Sequence, residues 1–77
     1  MLDPIIVGKV IPQFREKRGM TQDVLSGLAD IGRTHLSAIE RGVRRPTMET
    51  FCKIAEAMRL RPSELLYAIE NEIIKNE

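Results

Sequence analysis

Apolar residues recur along this chain at helical spacing, and no stretch alternates in the way a strand would. From Thr21 to Arg41 the sequence reads TQDVLSGLADIGRTHLSAIER. Val24, Leu25, Leu28 and Ala29 share one face of a short helix, and Leu36 and Ile39 restart the period on a second. Ile31 falls between them, where two crossing helices joined by a tight turn need an apolar plug. Five helices are predicted in all. The first runs from about Pro4 or Ile5 to Arg18 and stops at Gly19, a good C-terminal cap. Pro12 is anomalous inside it, because proline removes a hydrogen bond and clashes one turn back. The first helix is therefore expected to kink near Gly8 or to begin close to Pro12. Thr21 caps the second helix, with Asp23 placed favourably for the helix dipole. Ile31 or Gly32 precedes the third helix, which ends at Gly42, and residues 43–46 form a loop. Thr47 caps the fourth, whose apolar stripe is Met48, Phe51, Ile54, Ala55 and Met58. Ser63, after Pro62, opens the fifth at about residues 63–75, with Leu65, Leu66, Ile69, Ile73 and Ile74 as its stripe.

The third helix leaves Arg33, Thr34, His35, Ser37, Ala38 and Arg41 outside its apolar positions. Long donors beside small residues suit the edges of base pairs in a major groove. The stretch TQDVLSGLADIGRTHLSAIERG resembles the helix-turn-helix of the Cro and phage-repressor-like (XRE) transcription regulators. Upstream, Gly8, Val10, Phe14, Arg15, Lys17 and Gly19 fall where that family's first helix has its glycine, core residues, arginine and final glycine. Downstream, RPTMETFCKIAEAMRLRPSELL is similar to its fourth helix and the start of its fifth. The likeness spans roughly residues 6–67. Within the family, GRTHLSAIER most resembles the recognition helix of restriction-modification controller proteins. The resemblance implies an all-α fold, a compact five-helix lambda-repressor-like DNA-binding domain with the helix-turn-helix at helices 2 and 3.

It also implies roles for individual residues. Arg33, Thr34, His35, Ser37 and Ala38 would reach base edges, Arg33 by bidentate contact with guanine O6 and N7. An exposed histidine with no role is the alternative for His35. Gln22, Arg41, Arg44 and Arg45 would contact phosphate. Local capping is the alternative for Gln22, and a narrow minor groove for Arg44 or Arg45. Arg15 and Glu40 sit where family members place a buried pair joining the first helix to the end of the third; otherwise they are two unrelated exposed charges. Asp30 departs from the glycine usual in the turn, yet Asp tolerates positive φ. Ser26 replaces an alanine where the two helices approach, and is small enough to fit.

Charge is unevenly spread. Residues 9–45 hold eight basic and four acidic side chains, a net +4, whereas residues 46–77 hold four basic and six acidic, a net −2. One end can face phosphates while the other avoids them. A chain of 77 residues is expected to form one domain, residues 1–77, that buries about 60% of its unfolded surface. The fifth helix extends past what so small a core would cover. Leu66, Ile69 and Ile73 are therefore expected to line a surface for a second copy, giving a homodimer that presents two recognition helices to double-stranded DNA. The other protein partners considered are a toxin, as for antitoxins of this fold, and RNA polymerase. A module that binds only protein is the reading from another class, but it has no need of Gln22, Arg33, Arg44 and Arg45 together.

Enzyme chemistry is not expected. The one histidine and one cysteine lie far apart in the inferred fold, and no phosphate-binding glycine loop or metal-spaced cluster is present, so no cofactor or metal is implied. Cys52 reads as a half-buried small hydrophobe. The opening MLDPIIVGKVIP has too short an apolar run for a membrane helix and no basic signal-peptide start, so a cytoplasmic setting is expected.

Overall fold

The computed structural model describes residues 2–75. Five helices follow one another: α1 (Pro4–Lys17), α2 (Gln22–Ala29), α3 (Arg33–Glu40), α4 (Met48–Ala57) and α5 (Pro62–Lys75). Side-chain oxygens satisfy orphan N–H groups at most of their starts. Thr21 Oγ1 accepts from Val24 N at 3.1 Å, and Thr47 Oγ1 accepts from Thr50 N at 3.1 Å. Asp3 caps α1 by accepting from Ile5 N at 2.8 Å, with Pro4 at the first helical position. At α5, Glu64 reaches back to accept from Arg61 N at 2.7 Å.

Four helices end in the same way. A residue one or two positions past each takes left-handed φ: Gly19 at 67°, Asp30 at 55°, Gly42 at 76° and Arg59 at 59°. The next N–H then reaches back to a helix carbonyl, Met20 to Arg15 at 3.0 Å, Ile31 to Ser26 at 3.0 Å, Val43 to Ala38 at 3.1 Å and Leu60 to Ala55 at 2.9 Å. This arrangement satisfies carbonyls the helix leaves open. It also places an apolar residue after each turn, and Met20, Ile31 and Leu60 pack on the core. Asp30 takes its expected conformation; Arg59 occupies one for which an arginine gives no sequence signal.

Val10, Ile11, Leu25, Leu36, Ile39, Ile54, Met58, Leu65 and Ile69 are fully enclosed and form the centre of the core. Around it α1 packs on α3 and α5, α2 on α3 and α4, and α4 on α5. Four expectations are corrected here. Helix α1 begins at Pro4 and not near Pro12, which lies inside it, because the burial of Val7, Val10 and Ile11 outweighs one missing hydrogen bond. Val24 and Leu28 are exposed, since Leu25 and Ala29 alone meet the core. Met48, at the first position of α4, points to solvent. Ile69 is 0% exposed within one chain, so it has no surface left for a second copy. Ile73 is half-buried against the same core, and Leu66 stays at the surface.

One glycine sets the distance between α1 and α3. A Cβ on Gly8 would run into the backbone carbonyl of Ile39 and lie 2.7 Å from that of Glu40. Backbone cannot swing aside as a flexible side chain can. Gly8→Ala should therefore cost about 1–3 kcal/mol, read as a fall in the thermal midpoint of roughly 4–8 °C per kcal/mol. An unchanged midpoint would show that the helices separate freely.

Candidate nucleic-acid interface

Helix α3 has two faces. Leu36 and Ile39 are buried, and they fix the inward direction. At 100° per residue, Thr34, Ser37, Ala38 and Arg41 then point away from the core. Thr34 and Arg41 are exposed, Ser37 and Ala38 half-exposed between them, and His35 lies half-buried on the flank. Arg33 begins the helix and is exposed. Of the residues expected to reach base edges, the outward face thus unites Thr34, Ser37 and Ala38, with Arg33 at its head and His35 at its side.

The pose of this helix is held from behind. Arg15 of α1 donates from Nε to Glu40 Oε2 at 2.8 Å and from Nη2 to Glu40 Oε1 at 3.1 Å, a bidentate contact. Its Nη1 donates to the carbonyl of Met20 at 2.9 Å, where α1 ends. Both side chains are nearly enclosed, 12% and 6% exposed. The hydrogen bond to Glu40 raises the Arg15 pKa, so the arginine keeps its charge at any usable pH. Gln22 adds a third member, its Nε2 donating to Glu40 Oε1 at 2.9 Å. The first residue of α2, the last turn of α1 and the last residue of α3 therefore meet at one carboxylate. The family resemblance implied the pairing of Arg15 with Glu40, but nothing pointed to Gln22 as a third member, since a spacing of eighteen residues carries no contact information.

Two more contacts were not visible in the sequence. Arg33 Nε lies 3.3 Å from Asp23 Oδ1, an ion pair linking the starts of α2 and α3. Arg45 donates from Nη1 to the carbonyl of Leu2 at 3.3 Å, which ties the loop after α3 to the segment before α1. Arg44 is exposed beside it. Ser26 is buried as expected at the α2–α3 approach, where its Oγ donates to Asp23 O at 3.2 Å. Arg33, Arg41, Arg44 and Arg45 all belong to α3 or the loop that follows, within the positively charged part of the chain.

Two short helices joined by a left-handed turn, the second with a polar outward face and arginines at both ends, define a DNA-binding helix-turn-helix protein. The helix-turn-helix family model matches residues 12–65, and the chain belongs to that family, with the XRE-type arrangement. Control protein C.BamHI of Bacillus amyloliquefaciens is 35% identical over 63 residues, covering 80% of this chain and 78% of its own. The restriction-modification controller protein C.AhdI of Aeromonas hydrophila superposes with a TM-score of 0.80 at 28% identity, over 84% of this chain and 98% of that one. The controller protein C.Esp1396I, solved as a tetramer in complex with its natural 35 base-pair operator, has a TM-score of 0.87 at 27% identity, over 96% and 97%. The chain is thus a helix-turn-helix DNA-binding regulator similar to controller proteins. Among the described residues no helix is long and apolar enough to cross a membrane.

Proposed function

We propose that this protein regulates transcription by binding a palindromic operator as a homodimer, with the whole chain acting as one DNA-binding unit and α3 in the major groove. The observation that carries the reading is the outward face of α3, Thr34, Ser37, Ala38 and Arg41 headed by Arg33, held by a buried pair at its far end. Arg33 reads a guanine; Thr34, His35, Ser37 and Ala38 fit against neighbouring bases. Gln22, Arg41, Arg44 and Arg45 bind phosphate and fix the register. Gln22 does so with the second hydrogen of its amide nitrogen, the first being given to Glu40, beside the nearby N–H groups of α2.

The dimer surface is reassigned from Ile69 to what α5 and its neighbours leave in solvent. Leu66, with Leu2, Pro4, Val7, Met48 and Phe51, lines an apolar groove of about 220 Å³ between the starts of α1 and α4 and the outer side of α5. A second copy covering it would remove apolar surface from water. Ile73 extends the same helix beyond it. Similarity to controller proteins favours this reading over the antitoxin one, and the tetramer of C.Esp1396I on its operator leaves room for two such dimers side by side.

Arg33→Ala is the direct test. It should weaken operator binding by about 1–3 kcal/mol and relax preference at one base position in each half-site. Arg44→Ala should instead weaken binding to all sequences alike and flatten the dependence of affinity on salt by about one phosphate contact. Competition binding with singly substituted operators across a salt series measures both. Uniform loss for Arg33→Ala, with base preferences intact, would remove it from base recognition.

A further inference from the structure

The ion pair between Asp23 and Arg33 joins two helix starts that both face the proposed DNA surface. Asp23 lies in the first turn of α2, and Arg33 is the first residue of α3. Arg33 Nε approaches Asp23 Oδ1 at 3.3 Å, with side chains 64% and 74% exposed. In free solution so exposed a pair contributes little. A carboxylate at this place is also unexpected on charge alone, because DNA phosphates would repel it.

We infer that Asp23 is a positioning residue for base recognition: its carboxylate holds the Arg33 guanidinium toward a base edge and away from the phosphates. Three physical points support this. The closest approach is made through Nε, which leaves both terminal amino groups for guanine O6 and N7. A long arginine side chain loses rotamer freedom when it binds, and a tether formed beforehand lowers that loss. When DNA covers the pair, water leaves and the effective dielectric falls, so the attraction strengthens in the complex. A carboxylate whose arginine turned to a phosphate would be left unpaired beside the anionic backbone. Wrong registers and wrong bases are thereby disfavoured, which trades general affinity for discrimination. Asp23 is thus a specificity residue that makes no base contact of its own.

The inference rests on the reading that α3 enters the major groove with Arg33 on a base. Asp23→Asn tests it, since the side chain keeps its shape and loses its charge. Affinity for the operator and for each single-base variant should be measured beside a non-specific duplex. Preference at the base read by Arg33 should fall about five- to tenfold, preferences elsewhere should hold, and non-specific affinity should rise. Asp23→Glu, which keeps the charge, should retain most of the preference. Adding Asp23→Asn to Arg33→Ala should change base preference no further. If Asp23 served only the α2 dipole, Asp23→Asn would lower the thermal midpoint and scale affinity for every operator variant alike; that result overturns the inference. Preference lost in Arg33→Ala but intact in Asp23→Asn also overturns it, with the proposed function still standing. Preference intact in Arg33→Ala removes the base reading itself, and the positioning role with it.

Discussion

Arg15→Ala is expected to destabilise the protein by about 3–5 kcal/mol. The substitution leaves the Glu40 carboxylate, 6% exposed, without its bidentate partner. Gln22 alone remains to hold it, as a neutral amide with one hydrogen bond. The carbonyl of Met20 loses its side-chain donor as well. For a chain of 77 residues, total stability is roughly 4–12 kcal/mol, so the loss removes a large share of it. Urea unfolding followed by circular dichroism measures the change. The double variant Arg15→Met with Glu40→Leu should recover part of the loss, because apolar groups of similar volume need no partner. Operator affinity should not recover with it, since α3 would no longer be tied at its end. A single variant as stable as the native chain would mean that water solvates the pair freely.

The other large effect lies at Ile69. Ile69→Asp should abolish folding at 25 °C. The side chain is enclosed by its own chain, on a helix that packs against both α1 and α4. The change gives up roughly 1.5–3 kcal/mol of apolar burial and adds a carboxylate with no partner, whose desolvation is a still larger penalty. Loss of the helical signal in far-ultraviolet circular dichroism is the expected readout. Leu66→Asp, at the surface of the same helix, should keep that signal and sediment as a monomer. A folded, monomeric Ile69→Asp would reverse the two assignments.

Much of the architecture was legible because helix ends are written in single residues. Thr21, Thr47, Gly19, Gly42 and Asp30 mark their boundaries through one side chain or one backbone conformation, and each behaves so in the structure. The start of α1, expected at Pro4 or Ile5, lies at Pro4, where Asp3 supplies a cap that the proline at position 12 drew attention away from. What was not legible depends on three-dimensional surroundings. Helical spacing groups Val24 with Leu25, yet adjacent residues lie 100° apart, and only the partner helices decide that Leu25 is the one enclosed. The core was expected to be too small for Ile69, because chain length does not reveal that α5 packs on both α1 and α4. In the candidate site, residue types and the Arg15–Glu40 pair could be read. The contacts of Gln22 with Glu40 and of Asp23 with Arg33 could not, because they cross between helices at spacings without periodic meaning.

The eight residues of α3 carry two separate sets of instructions, interleaved. Leu36, Ile39 and Glu40 say how the helix is seated; Thr34, Ser37, Ala38 and, just past the end, Arg41 are the ones that would meet DNA in the proposed complex. None of these seven positions serves both. The outward letters can therefore be rewritten while the seat stays as it is, and each rewriting offers a new target to an old scaffold. Descendants of such a chain can acquire new operators one substitution at a time without passing through an unfolded ancestor. The same division lets an engineer exchange the outward residues for a chosen sequence and leave the inward ones alone.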